Sequence, residues 1–406
     1  MFYEGDNMMT VKRTNRSAAL RILHEQGGMS RKRLAETIRL TPAAITKIVA
    51  EMIDDGLVRE GRTLSAGSVG RREVLVELDP RARCALGILI NLRKATVSAV
   101  WMDGGVIFSE DIELPPAAPA DPTVEALCRR LLDLAAAHQL ERSRILGVGV
   151  AVRGITAPDD RTVVNSFGAL DRRDYPLADR VTARTGLPAV MRNNVRALFQ
   201  AQMFFARDCD VKSQFFLRCE YGIGASFAID EEIWRGDTQQ CAEIGHIPVV
   251  RRGGKPCVCG KSGCLETIAS PSAIREEAHS ILSPEQTPVL WAALRDRDPE
   301  TLTVQDVLEA ARNGDGGAGA IVDRAVEALA QALKSVIYLI DPGKIVLYGH
   351  LFDNSYYLAR FMAEMREGVD AGHNVTIERS RYNGKLEPAA SGLLMIREFF
   401  NLGGIL

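Results

Sequence analysis

Glu243-Ile-Gly-His246, followed by Cys257-Val-Cys259-Gly-Lys-Ser-Gly-Cys264-Leu-Glu266, places one imidazole and three thiols within 19 residues. His246, Cys257, Cys259 and Cys264 can close a tetrahedral Zn2+ shell, and the interleaved Gly260 and Gly263 suit a tight loop around an ion. Cys84, Cys128, Cys209, Cys219 and Cys241 are scattered, which fits a reducing compartment with one metal site better than a disulfide framework. Two carboxylates of the same stretch, Glu243 and Glu266, are not needed as ligands. A metal-braced loop would hold them still, with oxygens available to a polyhydroxylated ligand. Buried thiols without a metal, or a redox switch, are the other readings of these four side chains.

Around this stretch the texture is α/β. Gln214–Leu217, Ala225–Ile229 and Ile247–Val250 read as strands, a helical zone covers Val304–Leu339, and Lys344–Tyr348 is a buried strand. The same order occurs earlier. Three strand-like runs follow residue 83, Val124–Gln139 is an amphipathic helix, and Ile145–Val152 is a buried strand. A duplicated βββαβ unit predicts two lobes with a cleft between them. The expected bounds are 81–190 for the first lobe, completed by a C-terminal helical segment 387–406, and 191–386 for the second.

Residues 1–80 differ in character. Helices are expected over 14–26, over Arg31–Ile38 behind the N-cap Ser30, and from Thr41-Pro42 to about Asp55. Leu57-Val58 and Val74–Leu78 then alternate like two strands of a hairpin. Three short helices and a hairpin make the winged helix-turn-helix pattern. In that pattern Thr41, Ala43, Ala44, Thr46 and Lys47 lie at the exposed start of the third helix, where it would enter a major groove. Arg31 is a further DNA-binding candidate, and Arg71 and Arg72 at the wing would reach phosphates or the minor groove. Residues 1–72 carry 13 Lys/Arg against 8 Asp/Glu, so this head is basic, while the whole chain has a net charge of −2. A basic head on an acidic body suits a protein of which only the head approaches DNA. A helical dimerisation domain is the other reading.

The chain has 406 residues, 46% of them hydrophobic, enough for two or three domains. It has no run of 18 or more apolar residues and its N-terminus has no apolar signal core. A cytoplasmic protein with no membrane partner is expected.

The body resembles the ROK family (repressors, open reading frames and kinases) of the actin-like ATPase superfamily. With the head attached, the chain resembles the NagC/Mlc type of ROK repressor. The resemblance rests on E-x-G-H followed by C-x-C-G-x2-G-C-x-E, on Gly70-Arg71-Arg72, and on the run Asp341–Gly349. It implies that His246, Cys257, Cys259 and Cys264 bind zinc. It also implies that Asn193, Asn194, Glu243, His246 and Glu266 hold sugar hydroxyls. Asn194 departs from the family's kinases, which carry an Asp there as the base that deprotonates the sugar.

An amide cannot act as that base, and its loss costs about 10²–10⁴ in rate. The first phosphate turn of the kinases is matched by Leu89-Ile-Asn91-Leu92-Arg93, without a glycine. The second is Glu220-Tyr221-Gly222-Ile-Gly224, with a carboxylate that repels phosphate. The expected protein is therefore not an enzyme. It is a sugar-responsive transcriptional regulator, most readily a repressor, acting as a homodimer or homotetramer on operator DNA. A sugar kinase, or a regulator controlled by a protein partner, stays open as the alternative.

Overall fold

The computed structural model describes residues 8–64, 73–207, 211–368 and 372–405. The chain divides into two compact units, one of Met1–Arg207 with Gly384–Leu406 and one of Asp208–Asn383. The boundary therefore falls at Arg207, not at residue 190. Ala189–Asn193 is the parallel edge strand of the first sheet and the helix Asn194–Ala206 packs with it, so neither can belong to the second lobe. The head is likewise not set apart, since it counts within the first unit.

In the head, the helices are Met8–Gln26, Arg31–Ile38 and Pro42–Asp54. Ser30 and Thr41 cap the second and third, each accepting from the backbone N–H three residues on at 3.3 Å. The apolar stripe Ile45, Ile48, Val49 and Met52 is buried. Val58–Leu64 and Glu73–Leu78 pair antiparallel, and the short strand Met29–Ser30 adds to Glu73–Leu78.

The first lobe's sheet runs, from edge to edge, Ala189–Asn193, Ile145–Val152, Cys84–Ile90, Lys94–Trp101 and Val106–Glu113. The helices Ala120–Ala137 and Leu177–Thr185 pack with it. Another helix, Asn383–Asn401, packs onto the sheet through Gly87 and Gly149, which are partners on adjacent strands. That helix buries Leu393, Leu394, Ile396, Phe399 and Phe400. Each such side chain contributes about 1.5–3 kcal/mol on burial, which explains why the C-terminal segment returns to the first lobe.

The second unit repeats the scheme. Its sheet order is Glu232–Trp234, Ile223–Ile229, Ser213–Cys219, Lys344–Tyr348 and Thr376–Arg379, with the long helix Gly316–Ile340 in its core. The expected strand Ile247–Val250 is not in this sheet; Glu232–Trp234 takes the third place. Pro248 has no N–H to donate, and Val249 and Val250 donate to the Gly263 carbonyl at 2.9 and 3.1 Å. Their hydrogen bonds thus serve the cysteine loop in place of the sheet. No helix among the described residues is long and apolar enough to cross a membrane.

His24, on the first helix, stacks on Phe204 with ring centroids 3.9 Å apart. Burial, with Arg207 nearby, lowers its pKa to about 4. A lowered folded pKa means that the unfolded chain binds the proton first. His24 therefore contributes stability that is complete above about pH 6.5 and is lost as pH falls towards 4, about 3 kcal/mol in all. Chemical denaturation between pH 4 and 7 should show this slope in the wild type and a shallower one in His24→Gln; parallel slopes would exclude it.

Candidate metal centre and binding loops

The four sequence-predicted ligands converge. The ligand atoms of His246, Cys257, Cys259 and Cys264 all lie within 4.8 Å of one another. Cys257 Sγ is 3.5 Å from His246 Nδ1, and Cys259 Sγ is 3.6 Å from Cys264 Sγ. A zinc tetrahedron with Zn–S of about 2.3 Å and Zn–N of about 2.0 Å has edges of roughly 3.5–3.8 Å. The donor set and its spacing therefore fit Zn2+. Left-handed backbone at Gly260 and Gly263 lets the loop turn, and a Cβ at Gly263 would stand 2.3 Å from the Val250 carbonyl. The Lys261 ammonium donates to the His246 carbonyl at 3.0 Å, tying the loop to the turn that carries the imidazole.

Burial pushes the Cys257 thiol up to about 12. At Cys259 burial acts the same way but is outweighed by the Lys261 amide and the neighbouring thiols, and the pKa falls. A bound cation would hold all three groups as thiolates against the effect of burial, so metal affinity should rise with pH.

The two carboxylates are built into the same region. Glu266 opens the short helix Glu266–Ala269, two residues past Cys264, and its Oε2 accepts from the Ile223 backbone N–H at 3.0 Å. A Cβ at Gly222 would lie 2.2 Å from that oxygen, so the glycine of the Tyr221-Gly222 turn admits the carboxylate. Glu243 is exposed and precedes the single 3₁₀ turn Ile244–His246. Gly245 in that turn passes so close to Ile223 that a Cβ would stand 2.2 Å from its carbonyl. Ile223 thus anchors both the Glu243–His246 turn and Glu266. Sequence reasoning missed this residue, because nothing in a lone isoleucine signals a backbone used at both faces.

In the first unit, Asn193 caps the helix Asn194–Ala206. Its Oδ1 accepts from the Val195 and Arg196 N–H groups at 2.9 and 3.2 Å, and its Nδ2 donates to the Gly154 carbonyl at 2.8 Å. Asn194 is 3% exposed. Its Nδ2 donates to Asn91 Oδ1 at 2.8 Å, and its Oδ1 accepts from Val195 N–H at 3.0 Å. The partner Asn91 lies in the segment read as a lost phosphate turn, and it too was missed as part of this pair.

On the head, Thr41, Ala43, Thr46 and Lys47 are exposed and Ala44 is partly so. The Thr46 hydroxyl donates to the Pro42 carbonyl at 2.7 Å and Thr41 is engaged as the cap. Arg31 pairs with Glu60 at 2.9 Å. Arg71 and Arg72 lie outside the described residues.

A helix-turn-helix head joined to a body of two repeated α/β lobes, one of them carrying a cluster of one histidine and three cysteines, defines a class of two-part proteins with a sugar-kinase-like body. Residues 87–385 match the ROK family and residues 15–62 match the MarR family. The chain belongs to the ROK family. It is 26% identical over 347 residues to the N-acetylglucosamine repressor of Escherichia coli O6:H1, covering 85% of this chain and 82% of that protein. It is 29% identical over 247 residues to a glucokinase of Halalkalibacterium halodurans, covering 61% of this chain and 69% of the enzyme. Among solved structures, a ROK family transcriptional regulator described as a homologue of the E. coli Mlc protein superposes with a TM-score of 0.78 at 24% identity, over 97% of this chain and 98% of that one. The repressor alignment reaches further along this chain than the kinase alignment does.

Proposed function

We propose that this protein is a sugar-responsive DNA-binding transcriptional regulator, a repressor of carbohydrate uptake or metabolism genes, working in the cytoplasm as a homodimer or homotetramer. The observation that carries this reading is the coupling of Glu266 to the histidine-cysteine loop in a chain whose head exposes the start of its third helix, Pro42–Asp54. Zn2+ would be held by His246 Nδ1 and the thiolates of Cys257, Cys259 and Cys264, where it supplies structural rigidity. Glu243 and Glu266 would accept hydroxyl hydrogen bonds from the sugar, and His246 would donate from Nε2. Asn193 and Asn194 are proposed as further sugar-binding residues on the resemblance to the family, and each already bonds within the first unit. The anchored Glu266 carboxylate discriminates between epimers, because a misplaced hydroxyl leaves an acceptor that the sugar has covered unpaired. Thr41, Ala43, Ala44, Thr46 and Lys47 would face the major groove, and Arg31, Arg71 and Arg72 the backbone.

The sugar acts by preferring one of two states of different operator affinity, and a complete switch needs about 5.5 kcal/mol of preference. Phosphoryl transfer is opposed by Asn194, whose amide is bonded to Asn91 where a kinase needs a base, and by Glu220 in the second turn.

The test uses a DNA duplex selected by the protein from random sequence, titrated with and without N-acetylglucosamine, glucose and a panel of other monosaccharides and amino sugars. One sugar should shift the operator Kd at least tenfold, and Glu266→Gln should weaken that sugar's calorimetric affinity by about tenfold or more. No shift with any sugar, or ATP turnover in the wild type, would count against the reading.

A further inference from the structure

Arg16 lies in the middle of the first helix and is 2% exposed, the largest of the fully buried side chains among the described residues. A guanidinium so placed needs charged and polar partners, and Arg16 has Asp55, Glu51 and the Gly403 carbonyl. Its Nη2 donates to Asp55 Oδ2 at 2.5 Å, Nη1 lies 3.5 Å from Glu51 Oε2, and Nε donates to the Gly403 carbonyl at 2.7 Å. Glu51 and Asp55 stand at the C-terminal end of the third helix, the one whose other end carries the DNA-reading residues. Gly403 follows the helix Asn383–Asn401, which lies in the Gly87–Gly149 trough of the first sheet.

The tail is shaped for this contact. Gly403 and Gly404 have φ of +70° and +76°, and a Cβ on Gly403 would meet the Arg13 carbonyl at 2.7 Å. A Cβ on Gly404 would meet Leu57 Cδ1 at 2.6 Å. A second contact also reaches the first helix. The helix Asn194–Ala206 is about 20 Å long. It begins at the Asn193-Asn194 pair and ends with Phe204 stacked on His24. A third contact, from the linker, reaches the same point as the first: Arg83 Nη2 donates to the Asp55 carbonyl at 3.2 Å.

We infer that Arg16 is the positioning residue of the DNA-reading head: one buried guanidinium joins the end of the recognition helix to the C-terminal tail, and so fixes the angle of that helix against the first lobe's sheet. This rests on the DNA-binding reading of the head. The helix Asn194–Ala206 meets the same first helix at His24, eight residues beyond Arg16.

The test compares the full-length wild type with Arg16→Gln and Gly403→Ala. The second variant changes no head residue and acts from the tail side, where its Cβ presses on the first helix at Arg13 and Arg16, so a defect shared by both comes from the joint and not from a change within the head. Spin labels on unnatural residues at positions 36 and 129, both exposed and lying on the head and the lobe, report the head's angle in protein diluted with unlabelled chains. The distance distribution should be narrow in the wild type and at least twice as wide in both variants. Affinity for the selected duplex should fall at least tenfold in both, with the helical circular dichroism of the wild type retained. An unchanged distribution or an unchanged duplex affinity in Gly403→Ala would overturn the inference. The distance measurement involves neither DNA nor sugar, so its failure is separate from a failure of the regulator reading.

Discussion

Cys264→Ser is expected to strip the protein of one equivalent of zinc and to lower the unfolding midpoint of the second unit by about 10 °C. Cys264 is fully buried and its Sγ lies 3.6 Å both from Cys259 Sγ and from the His246 carbonyl. A serine hydroxyl there is too weak a donor to hold zinc at neutral pH. Structural zinc contributes about 10–16 kcal/mol to the folding of isolated zinc-finger peptides. Here the unit has its own apolar core, so the loss falls on the loop and on what the loop carries. Glu266 is two residues from Cys264, and the turn bearing Glu243 and His246 is bonded to the loop through Lys261. Heats of sugar binding should therefore vanish together with the metal. Elemental analysis and differential scanning calorimetry, each with and without a chelator, decide the matter. A wild type that carries no metal and unfolds identically with the chelator would refute the assignment.

Gly149→Ala should destabilise the first unit by about 3 kcal/mol or more, at the upper end of what overpacking a core costs. A Cβ at Gly149 would stand 1.7 Å from the Ser391 carbonyl oxygen and 2.7 Å from its carbon. Those are backbone atoms of a packed helix, and no rotamer change relieves them. The neighbouring strand offers no room either, since a Cβ at Gly87 would meet Ser391 Oγ at 2.3 Å. The helix Asn383–Asn401 must lift, loosening the burial of Leu394, Met395 and Ile396. For a unit of this size the midpoint should fall by roughly 10 °C, while metal content stays at the wild-type value because the ligands lie in the second unit. A midpoint within 2 °C or so of the wild type would show that the helix does not depend on this trough.

Much of the local structure was legible in the chain. Ser30 and Thr41-Pro42 mark helix starts by chemistry that acts within three residues, and the structure begins both helices there. The strand Ile145–Val152 is an unbroken apolar run and is found with the expected bounds. Ile247–Val250 misled because alternation says that a segment is extended but not what it bonds to. The expected lobe boundary at 190 cuts through the strand Ala189–Asn193, and only the pairing of that strand with Ile145–Val152 places it in the first sheet.

The sequence by itself determined the class of this protein: four soft ligands at zinc spacing, two carboxylates beside them, capped helices in a basic head, and an amide at Asn194. These are properties of side-chain chemistry and short spacing, which survive without coordinates. Only the tertiary structure decided that Asn194 is bonded to Asn91, that Ile223 anchors both carboxylate-bearing segments, and that Arg16 joins the head to residue 403. Such partners lie 103, 43 and 387 residues apart. Packing brings them together, and no local pattern records which distant backbone a buried polar group will find.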